Sequence, residues 1–315
     1  MSLPAFNLDE WILANRQAKN PLDPWKPVAY LVEPERTRGG QIEDVATIFL
    51  TNKECPFRCL MCDLWKNTLD KRVPEGAILA QIDWALNQLP PVRHVKLYNA
   101  GNFFDAQAIP SPELPRIAER LADFQTIIIE CHPRLIDPRC LAFQKLLRPE
   151  LQVAMGLETI HPEVLPRLNK QMTLTDFERA VKLLRGNAIA IRAFILLRPP
   201  FLNESEGVHW AKRSIEYAQA LGIECCVVIP TRSGNGAMEQ LHKQGAFGQP
   251  EMQSLEDAVE YGIGLRAGRI LADLWDIERI FVCNRCGPSR AERLRAMNLT
   301  QVVPPSILCE CRHDP

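Results

Sequence analysis

The chain has 315 residues, 46% hydrophobic and 24% charged, which suits one large α/β domain with a full core and a small appendage. Its net charge of −1 exerts no strong pull on polyanions and argues against a dedicated nucleic-acid binder. Eleven cysteines, with neither a basic nor an apolar leader in residues 1–10, read as reduced thiols of a cytoplasmic protein that serve metals rather than disulfides.

Residues 1–44 combine a short amphipathic stretch (Phe6, Trp11, Ile12) with Pro21, Pro24, Pro27 and Pro34. Proline fixes φ and removes a donor, so an irregular arm on the domain surface is predicted, with Trp11 and Trp25 as packing anchors. From residue 45 strand-like runs recur at 45–50, 92–98, 126–130, 152–157, 189–196 and 224–229, each apolar on both sides of the pleat. None is long enough to span a bilayer, and Arg192 interrupts the best candidate. Helical periodicity fills the gaps. Ile78, Ile82, Ala85, Leu86 and Leu89 share a face before Pro90-Pro91, and a second helix is expected to open on a capping box at Thr175–Glu178 and stop at Gly186. Strict alternation implies a parallel sheet, and six units imply an incomplete TIM-type (β/α)6 barrel. Chemistry in such barrels sits on the loops after the strands' C-terminal ends. A last helix is expected from a box at Ser254–Asp257 to about Trp275. The organisation is therefore an arm over 1–44, a core barrel over 45–275 and a Cys-rich tail over 276–315.

The first strand runs directly into Glu54-Cys55-Pro56-Phe57-Arg58-Cys59-Leu60-Met61-Cys62. Three thiolates on one tight loop can hold three corners of a cubane iron–sulfur cluster and leave one iron open. A three-cysteine zinc knuckle is the bland alternative. After the second strand comes Tyr98-Asn99-Ala100-Gly101-Asn102-Phe103-Phe104-Asp105, where a glycine lets backbone approach a ligand. Glu130 ends the third strand and Glu158 the fourth; each is either an acceptor for hydroxyl or amino groups or a solvated strand end. Lys170 and Arg198 are rival cations for a ligand carboxylate. The polar loop 232–236 reads as flexible, part of a substrate gate. Cys225 and Cys226 are expected in the core, whereas Cys131-His132 follows the third strand beside the site.

The tail pairs Cys283-Asn284-Arg285-Cys286 with Cys309-Glu310-Cys311. Four sulfurs suit structural zinc or a closed second cluster. Arg285, Arg290, Arg293 and Arg295 lie between the pairs, as a solvated helix face or as phosphate contacts for RNA.

The cysteine spacing resembles the signature of the radical S-adenosylmethionine (radical SAM) enzymes. Further loop segments strengthen the likeness: 99–104, Glu158 with Leu168-Asn169-Lys170, Arg198-Pro199-Pro200-Phe201-Leu202-Asn203-Glu204, and Pro230-Thr231. Together they are similar to the radical-SAM core of the Elongator catalytic subunit, and closer to the radical-SAM subunit of archaeosine synthase, over roughly residues 45–250. The resemblance implies a 4Fe-4S cluster on Cys55, Cys59 and Cys62, with S-adenosyl-L-methionine (SAM) chelated to the open iron. It implies an electron donor such as a flavodoxin or ferredoxin. A 5′-deoxyadenosyl radical would abstract hydrogen from an organic substrate, a modified tRNA base by the archaeosine-synthase likeness, in a lyase or transferase reaction. Gly101 and Asn102 would then meet the SAM amino group, Glu130 and Glu158 the ribose, and Lys170 or Arg198 the carboxylate. Met61 departs from the pattern, which usually has an aromatic residue there, and no acetyl transfer of the Elongator kind is expected. Two alternatives stay open: a small-molecule or peptide substrate, and a non-catalytic iron–sulfur or zinc scaffold.

Overall fold

The computed structural model describes residues 7–309. Eight strands form one sheet in chain order: β1 (Ala29–Arg36), β2 (Ile42–Leu50), β3 (His94–Asn99), β4 (Thr126–Glu130), β5 (Glu150–Glu158), β6 (Ala190–Leu197), β7 (Cys225–Pro230) and β8 (Arg269–Ala272). β1 pairs antiparallel with β2, and every later pair is parallel. The helices are α1 (Leu8–Ala14), α2 (Ala77–Leu86), α3 (Leu114–Arg120), α4 (Pro138–Leu146), α5 (Val164–Arg167), α6 (Leu174–Arg185), α7 (Glu204–Ala220), α8 (Ala237–Lys243), α9 (Met252–Gly264) and α10 (Gly287–Thr300). One apolar core joins strand residues such as Ile48, Val95, Ile127 and Val228 to helix residues such as Ile82, Phe177, Ile215 and Val259. Burial of these side chains is what drives the βα units together, at about 25 cal/mol per Å² of apolar surface.

The sheet is curled. Laid flat, eight strands would separate β1 from β8 by roughly 34 Å. Instead Glu35 on β1 pairs with Arg192 on β6 and, at 2.7 Å, with Lys96 on β3, and Arg269 on β8 donates to the Arg36 carbonyl. Burial alone would raise the Glu35 carboxyl, but the Arg192 and Lys96 cations overcome it and hold it well below the usual carboxylate range. This charged plug fills the N-terminal end of the parallel strands. The C-terminal end is left to the loops, in an incomplete barrel with a Cys-rich C-terminal cluster.

Several elements differ from the sequence reading. The arm expected to be irregular contains α1 and β1, and β1 is an edge strand, a position where Pro34 costs no ladder bond on its free side. The capping box expected at Thr175–Glu178 lies two residues earlier: Thr173 accepts from the Asp176 N–H, and the Asp176 carboxylate accepts in return. The helix expected from Ser254 to about Trp275 is α9, which starts at Met252 with no side-chain cap and stops at Gly264; the last helix, α10, lies in the tail. Residues 269–272 form β8, not the end of α9. Among the described residues, no helix is long and apolar enough to cross a membrane.

Candidate functional site

The loop after β2 carries Cys55, Cys59 and Cys62, all half-buried. Neighbouring loops fix its backbone from several sides. Asn235 donates to the carbonyls of Leu60 and Cys62 at 2.8 and 3.1 Å, and Asn169 donates to the Arg58 carbonyl at 2.7 Å. The Leu60 N–H donates to the Leu168 carbonyl at 2.8 Å. From the N-terminal side, Ile12 of α1 packs with Leu60, Met238 and Phe247, while Arg16 and Lys19 each reach Glu54 at 2.7 Å. The loop 232–236 is therefore a clamp rather than an open gate: Asn235 is 3% exposed and also accepts from the Met238 N–H. Met61 packs toward Phe201 in the adjoining apolar clusters.

Hydrogen-bond donors and a cation surround the sulfurs. The Asn102 amide donates to Cys55 Sγ at 3.1 Å, and its carbonyl oxygen accepts from the His132 N–H at 2.6 Å. The Phe57 N–H also donates to Cys55. Phe57 stacks on His132 at 3.9 Å. Gly101 is close by; a Cβ there would lie 3.3 Å from Asn52 Nδ2, a tight contact, and 3.7 Å from Cys55 Cβ, an ordinary one. Burial pushes the Cys59 thiol up to about 12 and raises Cys55 and Cys62 as well, with Lys170 opposing the rise at Cys55 and Cys59. Thiols in such a setting stay protonated until a metal cation displaces the proton. A cavity of about 290 Å³ opens beside Cys55, lined among others by Lys53, Arg58 and Asp105.

Lys170 and Glu158 form the buried ion pair of the site, 2.5 Å apart and each 7% exposed. Glu158 reaches this position through a bulge in β5 and a φ of 65°. Gly156 leaves room for the pair, since a Cβ there would overlap both Glu158 Oε1 and Lys170 Nζ as they stand. Desolvation would lower the Lys170 pKa, yet Glu158 and the nearby thiols hold it above the ordinary lysine value. Glu130 accepts from the Asn99 N–H at 3.0 Å, and desolvation pushes its carboxyl up to about 8 despite that bond and the Lys170 charge. His132 is buried and its pKa falls to about 3; Nδ1 accepts from the Arg134 N–H, so Nε2 carries the proton and donates to the Lys170 carbonyl. Its job is to seat Lys170.

The structure thus brings Gly101, Asn102, Glu130, Glu158 and Lys170 to the cysteine loop. Arg198 is held differently: its guanidinium pairs with Glu204 at 2.5 Å and donates to the Gln249 carbonyl at 2.6 Å. Sequence reasoning passed over Thr51, Asn52 and Asn99 as site residues. All three are buried at the ends of β2 and β3, and Thr51 Oγ1, Asn52 Oδ1 and both polar atoms of the Asn99 side chain lack a partner. An amide two residues before a cofactor-approaching glycine, as in Asn99-Ala100-Gly101, is the signal that was available. Unpaired buried groups of this kind are costly unless a ligand satisfies them. Donors on Cys55, a cation beside the thiols and orphaned amides next to Gly101 fit an iron–sulfur cluster carrying a polar ligand.

Elsewhere, Cys131, Cys140, Cys225 and Cys226 are buried in the core. Arg290 and Arg293 are not a phosphate-binding face. They are 9% and 5% exposed and pair with Glu256, which Arg290 meets at 2.7 Å and Arg293 at 3.2 Å. In the tail, the sulfurs of Cys283, Cys286 and Cys309 all lie within 4.8 Å of one another, the one such group of metal-ligating side chains among the described residues. Cys311 lies outside the described residues.

No model of a known protein family matches the chain. It is 24% identical over 330 residues to an uncharacterized protein of Methanocaldococcus jannaschii, covering 97% of this chain and 89% of that one. It is 23% identical over 285 residues to archaeosine synthase subunit beta of Methanosarcina acetivorans, covering 81% and 78%. Among solved structures, Elp3 of Methanocaldococcus infernus superposes with a TM-score of 0.53 at 13% identity, over 81% of this chain and 63% of that one. That likeness establishes the fold.

Proposed function

We propose, from the assignment to the radical SAM superfamily that relatives and fold support, that this chain is an enzyme which cleaves SAM reductively and abstracts hydrogen from a modified tRNA base. One observation carries the reading. The three thiols of the loop after β2 meet a sulfur-directed amide (Asn102) and a buried Lys170–Glu158 pair at the C-terminal mouth of the barrel. Cys55, Cys59 and Cys62 would hold a 4Fe-4S cluster. When bound there with SAM on its open iron, and reduced by a donor such as a flavodoxin or ferredoxin, the cluster supplies the 5′-deoxyadenosyl radical.

The chain's own groups bind and orient. Asn102 spends its amide on Cys55 and His132, so it positions a ligand sulfur while the Gly101 backbone leaves room for the methionyl amino group. Lys170, rather than Arg198, is the cation for the SAM carboxylate, since its charge acts on the Cys55 and Cys59 thiols, whereas Arg198 pairs with Glu204 and the Gln249 carbonyl. Glu158 accepts from the ribose or ammonium. Glu130 retains its proton near neutral pH and offers an O–H donor. The clamps from Asn169 and Asn235 hold the cysteine loop in place. An oxygen-sensitive centre and reduced thiols agree with a cytoplasmic location.

The tRNA substrate rests on the archaeosine synthase relatives. A small-molecule or peptide substrate is the second reading, favoured by the net charge of −1. A non-catalytic scaffold would leave the Lys170–Glu158 pair without a purpose. The test incubates the reconstituted protein anaerobically with SAM, dithionite and tRNA carrying the modified guanine. Nucleoside mass spectrometry should show one altered base, with 5′-deoxyadenosine rising as tRNA is added. A yield indifferent to every tRNA would shift the assignment to the second reading.

A further inference from the structure

We propose that Cys283, Cys286 and Cys309 bind a single tetrahedral metal ion, zinc by its ligand chemistry, which locks the C-terminal segment over the open edge of the sheet. The site is independent of the cluster loop. Cys283 and Cys286 flank the turn that opens α10, where the Gly287 N–H donates to the Cys283 carbonyl at 2.8 Å. Cys309 arrives from the other end of that helix. Gln301, with a φ of 55°, reverses the chain, and residues 302–309 run back. Fourteen helical residues rise about 21 Å. Eight extended residues reach at most about 28 Å, just enough to return to the start of α10.

The return is built, not incidental. Arg293, 5% exposed, donates Nε and Nη2 to the carbonyls of Pro304 and Pro305 at 2.7–3.1 Å, while its Nη1 pairs with Glu260 at 2.6 Å and Glu256 at 3.2 Å. One buried guanidinium thus fixes the segment that carries Cys309.

The sulfur spacing selects the metal. Zinc–thiolate bonds of about 2.3 Å in a tetrahedron place sulfurs roughly 3.8 Å apart. The three tail sulfurs already lie within 4.8 Å of one another, so small side-chain rotations complete the set. A cubane cluster takes each thiolate on a different iron and needs a wider set. Cys55, Cys59 and Cys62 are not drawn into such a close trio. Metal binding releases the thiol protons, and the cation's charge offsets the repulsion among the three thiolates.

The locked element matters because β8 is the edge strand of the sheet. Side chains near the end of α10 occupy its free backbone groups. The Gln301 amide pairs with both the N–H and the C=O of Ile270, at 2.7 and 2.9 Å, and Asn298 does the same for Ala272 at the same distances. A metal at the far end of α10 holds this cover in place.

The experiment uses the full chain with Cys55, Cys59 and Cys62 all changed to Ala, which keeps the two metal sites distinguishable. The demetallated protein is titrated with Co²⁺. One equivalent should bind with sulfur-to-cobalt charge-transfer and tetrahedral d–d bands, displaced by one equivalent of Zn²⁺, and Cys286→Ser or Cys309→Ser should abolish the bands. Should either variant fail to fold, zinc protection of Cys283, Cys286 and Cys309 from alkylation in the parent protein reads out the same site. The proposal is overturned by absent cobalt bands, by bands that survive in folded Cys309→Ser, by alkylation that zinc does not slow, or by uptake of about four irons with sulfide at the tail.

Discussion

Replacing Lys170 by Met tests whether the buried pair belongs to ligand binding or to folding alone. Lys170 Nζ and Glu158 Oε1 are 2.5 Å apart, and both side chains are 9% exposed. Removing one partner leaves a buried charge uncompensated, which costs about 3–5 kcal/mol of stability. Changing both, Lys170→Met with Glu158→Gln, removes both charges and should return most of that stability in anaerobic urea unfolding. SAM binding should not return with it. A lost charge-assisted contact in a dry site costs about 2–5 kcal/mol, so SAM should bind roughly thirtyfold more weakly, or worse, to the reconstituted double variant. Equilibrium binding of labelled SAM, with iron and sulfide content checked first, gives the answer. A stable, cluster-loaded double variant that binds SAM within threefold of wild type would refute the assignment of this pair to SAM.

Glu130 supplies a pH test. Its folded pKa of about 8 lies above the ordinary 4.5, so its contribution is fully present below about 4.5 and is lost as pH rises through about 8. Wild type should lose stability relative to Glu130→Gln across that window, by at most about 1.4 kcal/mol per pH unit; parallel pH profiles from urea melts would show the carboxyl to be solvated. Asn102→Ala removes a hydrogen bond to a ligand sulfur, and redox titration should find the reconstituted cluster harder to reduce, with a more negative midpoint potential and unchanged iron content. An unshifted potential would reduce Asn102 to a backbone role.

The six central strands were legible because strands covered on both faces are mostly apolar on both sides, as β2 to β7 are apart from inward polar residues such as Lys96 and Arg192. The edges were not. In β1, Glu33, Pro34, Glu35 and Arg36 look like an irregular arm, and only the curl that brings Arg192 and Lys96 to Glu35 makes sense of them. Four-residue β8 was hidden behind a helix, since periodicity over so short a run cannot outweigh the helical pattern before it. At the site, residue types and loop positions pointed to Glu158 and Lys170, but not to their pairing. That depends on a bulge and a left-handed φ that no spacing rule announces. Arg293 looked like a solvated cation, and its burial is visible only once α9 and the return segment pack around it.

The central claim is reductive cleavage of SAM at the Cys55, Cys59 and Cys62 loop. The direct measurement is anaerobic reconstitution with iron and sulfide, addition of dithionite and SAM, and quantification of 5′-deoxyadenosine by liquid chromatography–mass spectrometry. Wild type should form 5′-deoxyadenosine and methionine in equal amounts, and the triple Ala variant should form none. A reconstituted wild type that holds about four irons at this loop yet produces no 5′-deoxyadenosine, or a triple variant that still produces it, would contradict the account.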